Sequence, residues 1–257
     1  MSLPMIQDIR DTVIKLTYIA RRAELNVIAK AYKHGDPLPR IEYTAEERET
    51  WRIAYTTLKE LRKDFTCSEY QNNIVEMEAA GLLTADRIPS IQAVSDYIQR
   101  RTGFQLRPCG GLLSARDSPP LWRFACFKQH ATSAIHQSRH CPMFADPEIA
   151  ELSQEIGLLS LGASDEQIER LATLYFFTVE FGLCEQDGKV KAIGAGLISA
   201  YGELMHACSD VPEHKQFHPE VTVVTTYDDS KYQPLYFVTK SIKDFMDKIK
   251  TYAATIN

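Results

Sequence analysis

Glu180 lies in Leu174-Tyr-Phe-Phe-Thr-Val-Glu180-Phe-Gly-Leu183, an almost uniformly apolar run. A helix that is apolar all round is a buried one, and an ionised carboxylate is costly to bury unless a cation or donors compensate it. Three arrangements meet that demand: an ion pair with a core arginine, a protonated carboxyl, or a metal ion. For the glutamate taken alone, the ion pair is the commonest. Two histidines widen the choice. His140 precedes Cys141-Pro142-Met143, and His136 stands four residues before it. On a helix such an i, i+4 pair can share one metal ion, although a lone pair at this spacing arises more often by chance than as a site. Two imidazoles and one carboxylate with open positions would form the facial triad of a non-haem Fe(II) oxygenase.

The elements that must carry these residues are mostly helical. Residues 5–33 read as a helix rich in Ile, Leu, Ala and Arg, ended by the turn signals His34-Gly35-Asp36-Pro37. Thr44 and Glu47 form a capping box that opens a helix to about Asp64. Ser90 starts a shorter helix through Arg101, and Phe104–Leu113 is extended, broken by Pro108 and Gly110-Gly111. The spacing predicts helices over 147–157 and 164–183, the second opened by a Ser164/Gln167 capping box. Asp187-Gly188 signals a hairpin. Residues 195–207 read as one helix, Leu235–Val238 as a strand, and 240–254 as a closing amphipathic helix. The expected class is therefore mainly α with a few short strands (α+β), and without βαβ alternation a doubly wound sheet is not expected.

The whole chain sets wider bounds. Its 257 residues are 44% hydrophobic and 25% charged, with a net charge of −5, ordinary for a globular protein. That charge gives no electrostatic reason to expect nucleic acid or an anionic membrane as partner. No apolar run approaches the roughly 18–20 residues of a membrane span, and Met1 to Asp11 lacks the pattern of a signal peptide. Six cysteines are scattered without C-x-x-C spacing, which fits reduced thiols in a cytoplasmic protein.

Longer motifs then join these residues. His34-Gly-Asp-Pro-Leu-Pro-Arg40, Thr102-Gly-Phe-Gln-Leu-Arg-Pro108, Gly111-Leu-Leu-Ser-Ala-Arg-Asp117, Ser153-Gln-Glu-Ile-Gly157, Phe177-Thr-Val-Glu-Phe-Gly-Leu-Cys184, Gly194-Ala-Gly196 and Tyr201-Gly-Glu-Leu204 span nearly the whole chain. Through them the chain resembles the catalytic domain of the pterin-dependent aromatic amino acid hydroxylases. The resemblance implies a single basket-like, helix-rich domain over residues 1–257, and an O2-dependent mono-oxygenase using tetrahydrobiopterin and Fe(II) held by two His and one Glu. It puts Glu180 at the carboxylate-ligand position and His140 at that of the second His. Tyr175 matches the aromatic beside the iron. Leu113 and Ala115 fall in the pterin loop, while Ser199 and Glu203 fall near substrate and iron. Gly162-Ala-Ser-Asp-Glu166 and Asp229 favour the branch that converts L-tyrosine to L-DOPA, with phenylalanine or tryptophan as alternative substrates. By composition alone, Asp229 reads as a solvated loop acid. The resemblance also implies a regulatory domain and a C-terminal tetramerisation helix that this sequence does not contain, so the family's tetramer is not expected.

The resemblance breaks from Ser118 to Arg139. That stretch is about 14 residues shorter than the family's, and no counterpart of the first His ligand or of the substrate-clamping Arg is found. Ser118 stands where a Phe would stack on the pterin. The genetic code suggests a cause. Codons for Trp122–Lys128, read one nucleotide earlier, can spell Leu-Ala-Phe-Arg-Val-Phe-Gln, and those for Thr132–Arg139 can spell Tyr-Ile-Arg-His-Ser-Pro-Lys-Pro. Both are family-like. Residues 118–139 are thus expected to be an out-of-frame stretch, with frame regained at His140. His136 would be at most a substitute ligand, one residue off the family's spacing, and His130 reads as a loop residue. A catalytically dead remnant with an incomplete iron site is the competing expectation.

Overall fold

The computed structural model describes residues 19–33, 35–109, 126–128, 141–228 and 231–256. Helix α1 covers residues 19–31, the described part of the helix expected over 5–33. It is tied to α2 (Ala45–Phe65) through Arg21, whose guanidinium donates to the Glu47 carboxylate at 3.0 Å and to the Glu42 carbonyl at 2.7 Å. The capping box forms: the Thr44 hydroxyl accepts from the Glu47 N–H at 3.1 Å, and the Glu47 carboxylate accepts from the Thr44 N–H at 2.7 Å. Two of the helix's orphan donors are thereby satisfied.

Helix α3 (Ser68–Ala79) was not anticipated. Its paired asparagines, Asn72 and Asn73, are poor helix formers, and its N-cap, Cys67, makes no side-chain cap bond. Packing decides it. Tyr70, Asn73, Ile74 and Met77 recur at helical spacing and are all buried, and the Asn73 amide donates to the Pro142 carbonyl at 2.9 Å. Helix α4 (Ile91–Thr102) follows as expected from Ser90 and ends on Gly103 in the left-handed region. Strand β1 (Arg107–Cys109) pairs in parallel with β2 (Cys126–Lys128).

The rest of the chain builds the floor of the site. Helix α5 (Pro147–Leu159) begins at Asp146, whose carboxylate accepts from the N–H groups of Glu148 and Ile149. Helix α6 (Asp165–Tyr175) runs into a π-helix (Phe176–Glu180). Strands β3 (Leu183–Gln186) and β4 (Lys189–Ala192) make the expected hairpin. Asp187 and Gly188 both have positive φ, 53° and 70°, the signature of a type I′ turn.

The 195–207 helix is a correction. It is two pieces, α7 (Ala195–Ser199) and α8 (Tyr201–Ala207), because Ala200 at φ −116°, ψ 89° is out of helical geometry. Strand β5 (Glu213–Gln216) and the short α9 (Pro219–Thr222) were also not anticipated. The Glu-His-Lys-Gln run of β5 has no apolar alternation, and only pairing with a neighbour makes it a strand. Strand β6 (Leu235–Thr239) and the closing α10 (Ile242–Ile256) match expectation to within two residues. The sheet order is β4-β3-β6-β5, with β6 parallel to both β3 and β5. Phe177, Phe217, Tyr236, Phe237 and Phe245 are fully buried between this sheet and the helices.

Candidate active site

Helix α6 is held at its start by the second capping box: the Ser164 hydroxyl accepts from Gln167 N–H at 3.3 Å, and the Gln167 side chain accepts from Ser164 N–H at 2.8 Å. Ile168, Leu171 and Leu174 anchor it to the core. At Phe176 the hydrogen-bond step lengthens, and Phe181 N–H donates to the Phe176 carbonyl at 2.8 Å. This i→i+5 pattern inserts an extra residue into the turn, a distortion found mostly where a side chain must be re-aimed. The continuous helix expected over 164–183 is therefore corrected, and so is the enclosed carboxylate. Phe176, Phe177, Thr178 and Val179 are buried, while Glu180 at the end of the π-turn is half-buried.

Two glycines shape the space around Glu180. The Gly182 carbonyl accepts from the N–H groups of Ile193 and Gly194 at 3.0 and 2.9 Å, which draws the chain after β4 onto the π-turn. A Cβ on Gly194 would lie 2.2 Å from the Glu180 carbonyl oxygen. On Gly196 it would lie 2.9 Å from Glu180 Oε2 and 3.1 Å from the Phe181 ring. Only glycine permits this approach at both positions. The motif was visible in the sequence; what the glycines make room for was not.

Tyr175 is partly buried, with its hydroxyl 3.3 Å from that of Ser153 on α5. Desolvation first, then the negative charge of Glu180, push its pKa well above the usual phenol range. Tyr175 is therefore a neutral phenol at any physiological pH. On the other side of the π-turn three rings form a stack. Tyr227 lies on Phe176 at 3.9 Å and 14°, and Phe176 lies on Phe181 at 4.3 Å and 22°. Nothing in the local sequence around Tyr227 signalled that contact.

Ser199 is buried at the end of α7, and its hydroxyl donates to the Ala195 carbonyl at 2.7 Å. Glu203, on α8, is 9% exposed. Its Oε1 accepts from the Tyr236 hydroxyl at 2.9 Å and from Gln233 N–H at 3.4 Å. Burial raises its pKa against the opposing effect of those two bonds. The structure thus gathers Tyr175, Glu180 and the glycines around one π-turn, with Ser199 on the short helix those glycines lead into, and ties Glu203 into a separate network with β6. His136, His140, Leu113, Ala115 and Asp229 lie outside the described residues. Among the described residues no group of three or more His, Cys, Asp or Glu could hold a metal ion.

Among the described cysteine side chains none is set up as a nucleophile. Cys67, Cys141, Cys184 and Cys208 form no disulfide, and burial pushes the Cys184 and Cys208 thiols up to about 12, far from the thiolate a nucleophile needs. No described helix is long and apolar enough to cross a membrane.

Residues 10–257 match the family described as biopterin-dependent aromatic amino acid hydroxylase. The chain is 51% identical over 254 residues to tyrosine 3-monooxygenase of Caenorhabditis briggsae, covering 93% of this chain and 49% of that protein. It is 49% identical over 253 residues to the human tyrosine 3-monooxygenase, covering 93% and 48%. Phenylalanine-4-hydroxylase of Bos taurus is 44% identical over 255 residues, covering 93% and 56%. The chain spans about half the length of these relatives. Among solved structures, the apo cold-active phenylalanine hydroxylase of Colwellia psychrerythraea superposes with a TM-score of 0.75 at 26% identity, covering 87% of this chain and 92% of that one. The Chromobacterium violaceum phenylalanine hydroxylase with bound iron(III) and 7,8-dihydrobiopterin gives 0.77 at 22% identity, covering 91% and 90%, a likeness of fold.

Proposed function

The chain belongs to the biopterin-dependent aromatic amino acid hydroxylase family, and we propose that its reaction is the hydroxylation of L-tyrosine to L-DOPA with O2, Fe(II) and tetrahydrobiopterin, in the cytoplasm. The observation that carries this reading is Glu180, a half-buried carboxylate at the end of a π-turn with Gly196 packed closely against its Oε2. Identity to two tyrosine 3-monooxygenases supports tyrosine over phenylalanine as substrate.

The described residues fit one side of an iron site. Glu180 is a hard anionic oxygen donor, and glycine at 196 keeps a side chain from pressing on its Oε2. His140 would be the next ligand and His136 a substitute for the third. When bound, iron and pterin together would supply the activation of O2. The protein's own contribution is placement. Tyr175 stays protonated beside Glu180 and can donate a hydrogen bond but not take up a proton. The Tyr227–Phe176–Phe181 stack packs the chain beyond α9 against the π-turn that ends at Glu180. Leu113 and Ala115 are assigned to the pterin, Ser199, Glu203 and Asp229 to the substrate side.

A second reading is favoured by residues 118–139, where the first His ligand has no counterpart. With two protein ligands instead of three, affinity and geometry both suffer, and the polypeptide is then a remnant that folds without catalysing. Titration with Fe(II) coupled to a tyrosine hydroxylation assay separates the two. Stoichiometric iron and pterin-dependent DOPA formation support the enzyme; neither iron binding nor product supports the remnant.

A further inference from the structure

The chain between α1 and α2 lines a cleft of about 490 Å³. Over Arg40-Ile-Glu-Tyr43 the residues alternate between exposed and half-buried, the period of a strand with one face on the core. Among the described residues no strand pairs with this run. The N–H groups of Arg40, Ile41, Glu42 and Tyr43 and the carbonyls of Pro39, Arg40 and Ile41 make no hydrogen bond there. The next two carbonyls are taken by side chains: that of Glu42 accepts from Arg21 at 2.7 Å, and that of Tyr43 from Arg48 at 2.6 Å. An extended run with open backbone groups is a template for a further strand.

The loop between α3 and α4 lines the same cleft with Leu82, Arg87 and Ile88. Ile41, Leu82 and Ile88 make the lining apolar, yet its charge is positive. Three guanidiniums, those of Arg40, Arg48 and Arg87, stand against the single carboxylate of Glu42, in a chain whose net charge is −5. Arg40 pairs with Glu42 at 3.1 Å, and both side chains are almost fully exposed. Arg48 and Arg87 donate instead to backbone carbonyls, of Tyr43 and of Gly81. Neither forms an ion pair among the described residues. A guanidinium has five N–H donors, so both keep donors and an uncompensated charge for a ligand.

We propose that this cleft is a docking site for an acidic, extended segment of a partner protein, which adds a strand along Arg40–Tyr43 and sets its carboxylates against Arg48 and Arg87. The open backbone groups supply main-chain hydrogen bonds, and the apolar lining takes alternate side chains of the segment. The guanidiniums select carboxylates, which they can bind in bidentate fashion, over ammonium groups. The cleft shares no residue with the π-turn and the glycines around Glu180. Docking is therefore a function apart from the chemistry proposed at that carboxylate.

The test uses the full chain and fluorescence anisotropy with a labelled seven-residue peptide that alternates glutamate and valine. A lysine–valine peptide and a backbone N-methylated form of the acidic peptide are the comparisons. The acidic peptide is expected to bind about tenfold or more tightly than either, and less tightly as salt is raised. Arg87→Glu and Arg40→Glu should each weaken it by about tenfold. Arg40 is almost fully exposed, so its variant keeps the test open if loss of the Arg87 bond to Gly81 disturbs the fold. Equal binding of the lysine peptide would leave only an apolar groove, and equal binding of the N-methylated peptide would leave an anion site without strand pairing. Either result overturns the proposal, as does an acidic peptide that fails to bind or that binds both folded variants as it binds the parent.

Discussion

At the scale of single residues, the site depends on atoms that are close because other atoms are missing. Gly194 and Gly196 lie against Glu180 so tightly that a methyl group at either must displace something. At Gly194 the obstacle is backbone, the Glu180 carbonyl, which cannot swing away. Gly194→Ala is therefore expected to destabilise the fold by about 1–3 kcal/mol, measured by urea denaturation. At Gly196 the nearest atom is the end of a side chain, so Gly196→Ala should cost less stability. It should instead lower Fe(II) affinity by about tenfold or more, read by metal titration. Equal losses of stability in the two variants would contradict this account.

Glu203 gives a pH-dependent counterpart. Its carboxyl is raised above the ordinary 4.5 by burial, so the folded state favours the protonated form. The stability it contributes is fully present below 4.5 and is lost as pH rises through the higher folded value. Glu203→Gln keeps an oxygen to accept from Tyr236 and Gln233 but carries no charge to desolvate. Its melting temperature relative to the parent is expected to rise between pH 4 and pH 7. A constant difference across that range would show that Glu203 titrates normally.

At the scale of elements, the approach to Glu180 runs through α6, whose entry is fixed by Ser164 and Gln167. Ser164→Ala removes the side-chain acceptor of that capping box and should cost about 0.5–2 kcal/mol, visible in thermal melts. Because α6 is anchored by Ile168, Leu171 and Leu174, the loss should not alter Glu180's ability to bind metal at saturating Fe(II). The boxes at Thr44 and Ser164, the Asp187-Gly188 turn and the closing helix were all legible because each is governed by neighbours in sequence. The π-turn was not. Its sequence reads as ordinary helix, and the extra residue is accommodated by the chain from Gly182 and Gly194 packing onto it. The break at Ala200 likewise has no local cause in residue type, since alanine is the best helix former.

At the scale of the molecule, the described fold around the sheet is complete enough to bury a continuous core from Trp51 to Tyr252. The proposed iron site depends on the stretch from Ser118 to Arg139, where a counterpart of the first histidine ligand is not expected. Replacing residues 118–139 with the in-frame family-like sequence should therefore raise Fe(II) stoichiometry towards one per chain while leaving the α6 and sheet signals of a denaturation profile in place. Sequencing the transcript across codons 115–142 tests the origin of the stretch, and in-frame codons with no family-like alternative reading would sink the frameshift account.

The sequence by itself determined the helix-rich class, both capping boxes and the hairpin, because each rests on residue type and spacing along the chain. It also marked Gly194 and Gly196 as part of a family motif without saying what they do. Tertiary structure alone decided that Glu180 is half-buried at the end of a π-turn, that two glycines pack closely against it, and that Tyr227 stacks on the same turn. Those outcomes depend on contacts between segments tens of residues apart, where the identity of a neighbour is set by the path of the whole chain.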